Sequence, residues 1–177
     1  MSELSSTTAA AVADPAKDRL NPYAKYLGGA EPLIIMEGTA AALAKLVRDV
    51  PEATLTRAPA PGKWSVRDIM CHLADTELAF GFRLRQTVSQ DDHVIQPFDQ
   101  ELWAKPSNKL TTREGLDAFT AFRKWNLLFV NAVGPGVLDK RVTHPERGEM
   151  TFRHILETMG GHDINHLRQI ERHLTPA

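Results

Sequence analysis

Apolar positions recur every three or four residues in four stretches of this chain, the spacing of helices that bury one face. The first runs from about Glu31 to Val50, with Pro32 in its opening turn, Leu43, Leu46, Val47 and Val50 on the apolar side, and Pro51 as a stop. The second begins at Ser65, whose hydroxyl can cap the helix while Asp68 reaches back, and carries Val66, Ile69, Met70, Leu73, Phe80 and Leu84. A third starts at Thr111 or Thr112 with Glu114 nearby, repeats Leu116, Phe119, Phe122, Leu127, Val130 and Val133, and ends at Gly134, Pro135 and Gly136. The fourth climbs from Thr151 through Phe152, Ile155, Met159, His162, His166 and Ile170 to Thr175 and Pro176. Two of its rungs are histidines.

Between Ser89 and Leu110 the periodicity dissolves into SQDDHVIQPFDQELWAKPSNKL, too rich in turn formers for a simple hairpin connection. A long crossing is expected, holding one short helix in PFDQELWA capped by Asp99. The segment VLDKRVTHPERGEMTF, with its His-Pro and Arg-Gly, reads as an irregular turn or a short hairpin. No repeat or sustained strand alternation competes, so the fold class is all-α, a four-helix bundle with a long crossover between its second and third helices. Residues 1–28 are expected as a disordered or extended tail and 29–177 as one domain.

Composition narrows the partners. The 177 residues carry a formal net charge of -1, so no global positive field attracts nucleic acid or an anionic membrane. The cluster Leu33 to Met36 is far shorter than the ~20 apolar residues that span a bilayer. The amino terminus lacks a basic start and does not resemble a secretory signal, and the single cysteine, Cys71, excludes an intrachain disulfide framework; both suit the cytoplasm. Cys71 itself reads as a core residue.

His162 and His166 differ by about 40° in direction and roughly 6 Å in rise on one helix, so their rings can converge on one point. The spacing alone is a weak signal, and two hydrogen-bonded histidines at the bundle's edge would also explain it. Their place on an apolar ladder points further, because polar groups turned into a core must be satisfied and a shared metal would satisfy both. Of the remaining histidines, only His72 lies inside another long helix, in GKWSVRDIMCHLADTE, on a face with Ile69, Thr76 and Ala79. Three imidazoles on one divalent ion leave a position open for water or substrate, unlike a closed structural zinc site. GxSxG, HExxH, Walker and GxGxxG motifs are absent.

WSVRDIMCHLADTE followed by GGHDINHLRQI, with PFDQELW and THPERGEMTF between them, resembles the DinB-like, YfiT-like superfamily of metal-binding bundles over roughly Leu33 to Leu174. The resemblance implies a four-helix bundle, one divalent metal, zinc or nickel foremost, held by His72, His162 and His166, and a homodimer. It implies an enzyme acting on a small electrophilic molecule, either a transferase using a low-molecular-weight thiol or a hydrolase using water, with a non-catalytic metal-stabilised bundle as the alternative. The transferase is the preferred expectation.

Other residues are weaker candidates. Asp75 could orient a ligand ring or serve as a solvated carboxylate. Asp163 could replace His162 as a ligand through its DxxH spacing with His166. Glu77 points about 140° from His72, which suits a structural pairing with Arg123. Arg83 could bind an anionic substrate or form a surface salt bridge. Trp64 and Trp103 could wall a substrate or thiol pocket, or serve as packing plugs. His93 and His144 are expected at the surface, with a general acid near the site as the alternative for either, and His173 at the C-terminal end of the last helix dipole.

Overall fold

The computed structural model describes residues 20–175. Four long helices dominate them, joined by shorter elements. A single turn, α1 (Ala24–Leu27), precedes α2 (Pro32–Val47), and another, α3 (Glu52–Leu55), follows it. Then come α4 (Val66–Ser89), α5 (Gln100–Ala104), a 3-10 turn at Lys105–Lys109, and α6 (Thr112–Val133). An antiparallel hairpin of β1 (Arg141–His144) and β2 (Gly148–Thr151), in register Arg141 to Thr151, leads into α7 (Phe152–Leu174). No described helix is long and apolar enough to cross a membrane.

The caps explain where these helices begin. Ser65 and Asp68 form a full capping box on α4, as do Thr111 and Glu114 on α6. On α7 the partner of Thr151 is His154, whose Nδ1 accepts from the Thr151 amide at 3.0 Å. Asp99 caps the short helix in the crossing through the amides of Glu101 and Leu102. Each side chain satisfies amides that a helix start leaves open.

The crossing is long because it must carry the chain back along the whole bundle. Gly115 lies against Cys71, and Gly81 against Asn126, so α4 and α6 run in the same direction. A hairpin turn cannot join parallel helices. The crossing does more than return: Ile95 N donates to Thr143 O at 2.8 Å and Thr143 N to His93 O at 2.9 Å, which ties it to the edge of β1.

Two apolar clusters fill the bundle, one around Met36, Leu84, Phe152, Ile155 and Met159, the other around Leu43, Ile69, Leu73, Phe119 and Ile170. Between them each long helix contributes polar groups to one stratum: Thr39, Thr76 and Glu77, Arg123 and Asn126, His162, Asp163 and His166, all buried.

Three expectations change. Residues 1–19 of the proposed tail lie outside the described residues, but 20–28 are not an extended tail: they hold α1, and Asn21 is buried. Gly160 and Gly161 make this possible, since a Cβ on Gly161 would run into the backbone of Tyr23 and one on Gly160 would press on Pro32. The first long helix ends at Val47 rather than Val50, and the open reading of the 137–152 region resolves as a hairpin. His93 and His144 are buried, not surface residues, because the crossing and the hairpin pack on each other.

Candidate metal centre

His72 comes from the middle of α4, and His162 and His166 from successive turns of α7. Their Nε2 atoms meet: His162 Nε2 is 3.1 Å from that of His72 and 3.1 Å from that of His166. All three side chains are buried, and they form one group of potential ligands within 4.8 Å of one another. Burial, with mutual repulsion adding to it, lowers His72 to about 3. Burial also lowers His166 to about 4 and takes His162 well below the ordinary histidine range. All three rings are neutral at physiological pH, the state in which imidazole binds metal.

The protons do not balance around these rings. His166 Nδ1–H donates to Gln169 Oε1 at 2.9 Å, which assigns its proton and leaves the Nε2 lone pair facing His162. One proton on His162 Nε2 would then have to serve both neighbours. A divalent ion takes all three lone pairs at once. In a tetrahedral site with metal–nitrogen bonds of ~2.0–2.1 Å, ligand nitrogens lie about 3.3 Å apart, close to the separations found here. The donor set fits such an ion.

Around the triad, the Trp64 ring packs 4.6 Å from that of His72, and Tyr23 meets His162 edge-on at 5.1 Å. A cavity of about 170 Å³ reaches His162, with Tyr23, Phe80, Arg83, His144 and Arg147 among its walls. Thr76 and Thr158 line it one turn from His72 and His162. Their hydroxyls donate back to helix carbonyls, so their lone pairs remain to accept.

The other sequence candidates separate clearly. Asp163 does not join the histidines: Arg123 grips it through two hydrogen bonds, at 2.6 and 2.9 Å, and the Thr39 hydroxyl adds a third at 2.7 Å. Glu77 pairs with the same Arg123 at 2.7 Å, as its helical direction predicts, and Asn126 donates to it at 3.0 Å. Arg123 also donates to Met36 O at 2.9 Å, so one guanidinium ties all four long helices together. Burial would lower its pKa, but Asp163 and Glu77 outweigh that and hold it charged.

Asp75 is half-buried at a different recess, with Cys71, Trp103 and Ser107, and burial raises its pKa. Cys71 is a core residue, its thiol pushed up to about 11 by burial. Trp103 stacks 4.6 Å from Phe98 and is 42% exposed, away from the triad, so of the two tryptophans only Trp64 touches a site histidine. Among the described residues Arg83 makes no salt bridge, and it lines the cavity instead. His173 Nδ1 donates to Gln169 O at 2.8 Å in the last turn of α7.

Tyr23, Arg147 and Gln169 were not anticipated, whereas His144, a general-acid candidate in the sequence, does reach the cavity. The paired glycines at 160–161 are the signal that another segment approaches α7; the hairpin residues carry no comparable local signal.

A crossover bundle whose centre presents three convergent, neutral imidazoles beside a small cavity defines a recognisable class of helical domain. Residues 35–170 match the DinB superfamily, and the chain belongs to it. A candidate metal-dependent hydrolase of Bacillus mycoides is 28% identical over 131 residues, covering 72% of this chain and 75% of its own. A second, from Oceanobacillus iheyensis, is 26% identical over 129 residues, covering 72% and 75%. YfiT from Bacillus subtilis, described as a probable metal-dependent hydrolase with an unusual four-helix bundle topology, superimposes with a TM-score of 0.71 at 18% identity, covering 94% of this chain and 92% of YfiT. That likeness shows the shared fold.

Proposed function

We propose that this protein is a metal-dependent enzyme that holds one divalent ion through His72, His162 and His166 and hydrolyses a small electrophilic substrate. The observation that carries the reading is the convergence of three Nε2 atoms, those of His72 and His166 each 3.1 Å from that of His162, in contacts that no arrangement of single protons satisfies. Bound there, the ion supplies Lewis acidity and a lowered pKa for water.

The chain's own contributions follow from the geometry. Burial keeps the three rings neutral, and Gln169 fixes the tautomer of His166. Trp64 packs against His72 and Tyr23 against His162, so the two rings cover flanks of the triad. His144 is held by the Glu146 amide, which donates to its Nδ1 at 3.2 Å, so its Nε2 carries the proton and serves as a donor in the cavity.

Water is preferred over a low-molecular-weight thiol because the relatives named above are candidate hydrolases. This reverses the preference that the resemblance suggested, although an open position accepts either nucleophile. Zinc and nickel both suit an imidazole set.

The test is a screen of zinc- and nickel-loaded protein, with His72→Ala as control, against esters and amides with and without added thiols. The hydrolase reading expects thiol-independent cleavage that His72→Ala abolishes. Turnover only with thiol would make the protein a transferase. A bound ion that no azide or thiol can reach, with no turnover, would make it a metal-stabilised binding module.

A further inference from the structure

We propose that the cavity beside His162 is an oxyanion site, where Arg83 and Arg147 hold the carboxylate or phosphate group of a small organic anion. That this anion is the substrate rests on the metal-dependent reading; the anion site itself does not.

The two arginines reach the cavity from distant parts of the chain, Arg83 from α4 and Arg147 from the turn between β1 and β2. Neither belongs to any ion pair among the described residues. Arg83 is preorganised: its guanidinium carbon lies 5.3 Å from the Phe80 ring centre and 5.6 Å from that of Phe98, and Nη2 donates to Gln96 O at 3.3 Å. Burial pushes Arg83 down to about 10, and the charge of Arg147 adds to that, so the two cations repel across the cavity while Arg83 stays protonated at neutral pH. Where this fold buries an arginine for structure it supplies two carboxylates, as at Arg123. Here it supplies neither guanidinium with one within ion-pair distance.

The remaining polar groups agree with an acceptor-rich ligand. His144 offers its Nε2 proton, and Tyr23 contributes a phenol. Glu146 is the acid in the lining, and against two arginines it leaves the cavity with net positive charge. Phe80, Phe98 and Pro97 add apolar wall, and a space of about 170 Å³ admits a small molecule and not a polymer. A planar carboxylate or a phosphate accepts from two guanidinium forks in a way that a neutral ester or amide does not.

The test is equilibrium titration calorimetry with inorganic phosphate and with acetate, on metal-free and on zinc-loaded protein. Metal-free wild type is expected to bind one phosphate or acetate per chain. Arg83→Gln and Arg147→Gln are each expected to weaken that binding at least tenfold, with helical circular dichroism unchanged and Arg113→Gln without effect. Because Arg147 lies in a turn, its variant remains informative if Arg83→Gln folds poorly. Binding that persists in His72→Ala supports the site even if the metal-dependent reading fails. Binding that appears only with zinc, or that ignores both arginine substitutions, would overturn it.

Discussion

Two polar clusters lie side by side in the same buried stratum, and they balance differently. Asp163 and Glu77 close on Arg123 at 2.6 to 2.9 Å, with Thr39 and Asn126 completing the carboxylates. Apart from the Arg123 Nε, which has no partner among the described residues, the charged groups there are matched. One residue away along α7, His162 meets His72 and His166 with too few protons for the lone pairs that face each other. A cluster that balances within itself holds the bundle; a cluster that does not balance calls for something from outside. Burial is equal in the two, so burial alone does not mark a site.

The largest effect should come from breaking the balanced cluster. Arg123→Met leaves two buried carboxylates without their cation and should cost ~3–5 kcal/mol in chemical denaturation, because an unpaired buried charge is expensive. A loss under ~1 kcal/mol would remove the structural role assigned to it. His72→Ala should do the reverse. Its metal-free stability should change far less than that of Arg123→Met, while the stabilisation by zinc, ~4 kcal/mol at a thousandfold excess over Kd, should vanish from thermal melts.

Gln169→Leu sharpens the contrast further, since Gln169 matters only to the orientation of His166. Zinc affinity should fall ~10–100-fold by competition with a chelating dye, with the fold intact. An unchanged affinity would mean that His166 needs no such support.

The smallest signal is in acid. Unfolded histidines take up protons near pH 6.5, whereas folded His166 does so at about 4 and His72 at about 3. Between those values the unfolded chain binds more protons, so the stability of the metal-free protein should rise with pH and level off above about 6.5. His166→Ala should flatten that slope by at most ~1.4 kcal/mol per pH unit. An identical slope in wild type and variant would place the titrating groups elsewhere.

The long helices were legible because their signals are local. Ser65 with Asp68 and Thr111 with Glu114 mark starts within four residues, and the ladder from Phe152 to Ile170 is read within one element. The triad was legible for the same reason: two of its histidines share a helix at a spacing of four, and His72 sits inside the one other long helix that carries a histidine. Asp163 was harder, since its DxxH spacing is equally consistent with ligation, and only tertiary packing reveals Arg123 beside it. Tyr23, His144 and Arg147 come from the N-terminal segment and the hairpin, whose neighbours depend on how the crossing docks against β1 and how α1 docks at Gly161. Trp103 shows the converse: it follows a recognisable cap, yet the crossing turns it toward Phe98.

The central claim is that His72, His162 and His166 together hold one ion with a position left open. Cobalt-substituted protein, followed by visible absorption during azide addition, tests it most directly. One cobalt per chain is expected, lost in each of the three histidine-to-alanine variants but retained in Asp75→Ala, with a spectrum that shifts as azide enters. Cobalt that stays bound without any one of these histidines, or a spectrum indifferent to azide, would contradict it.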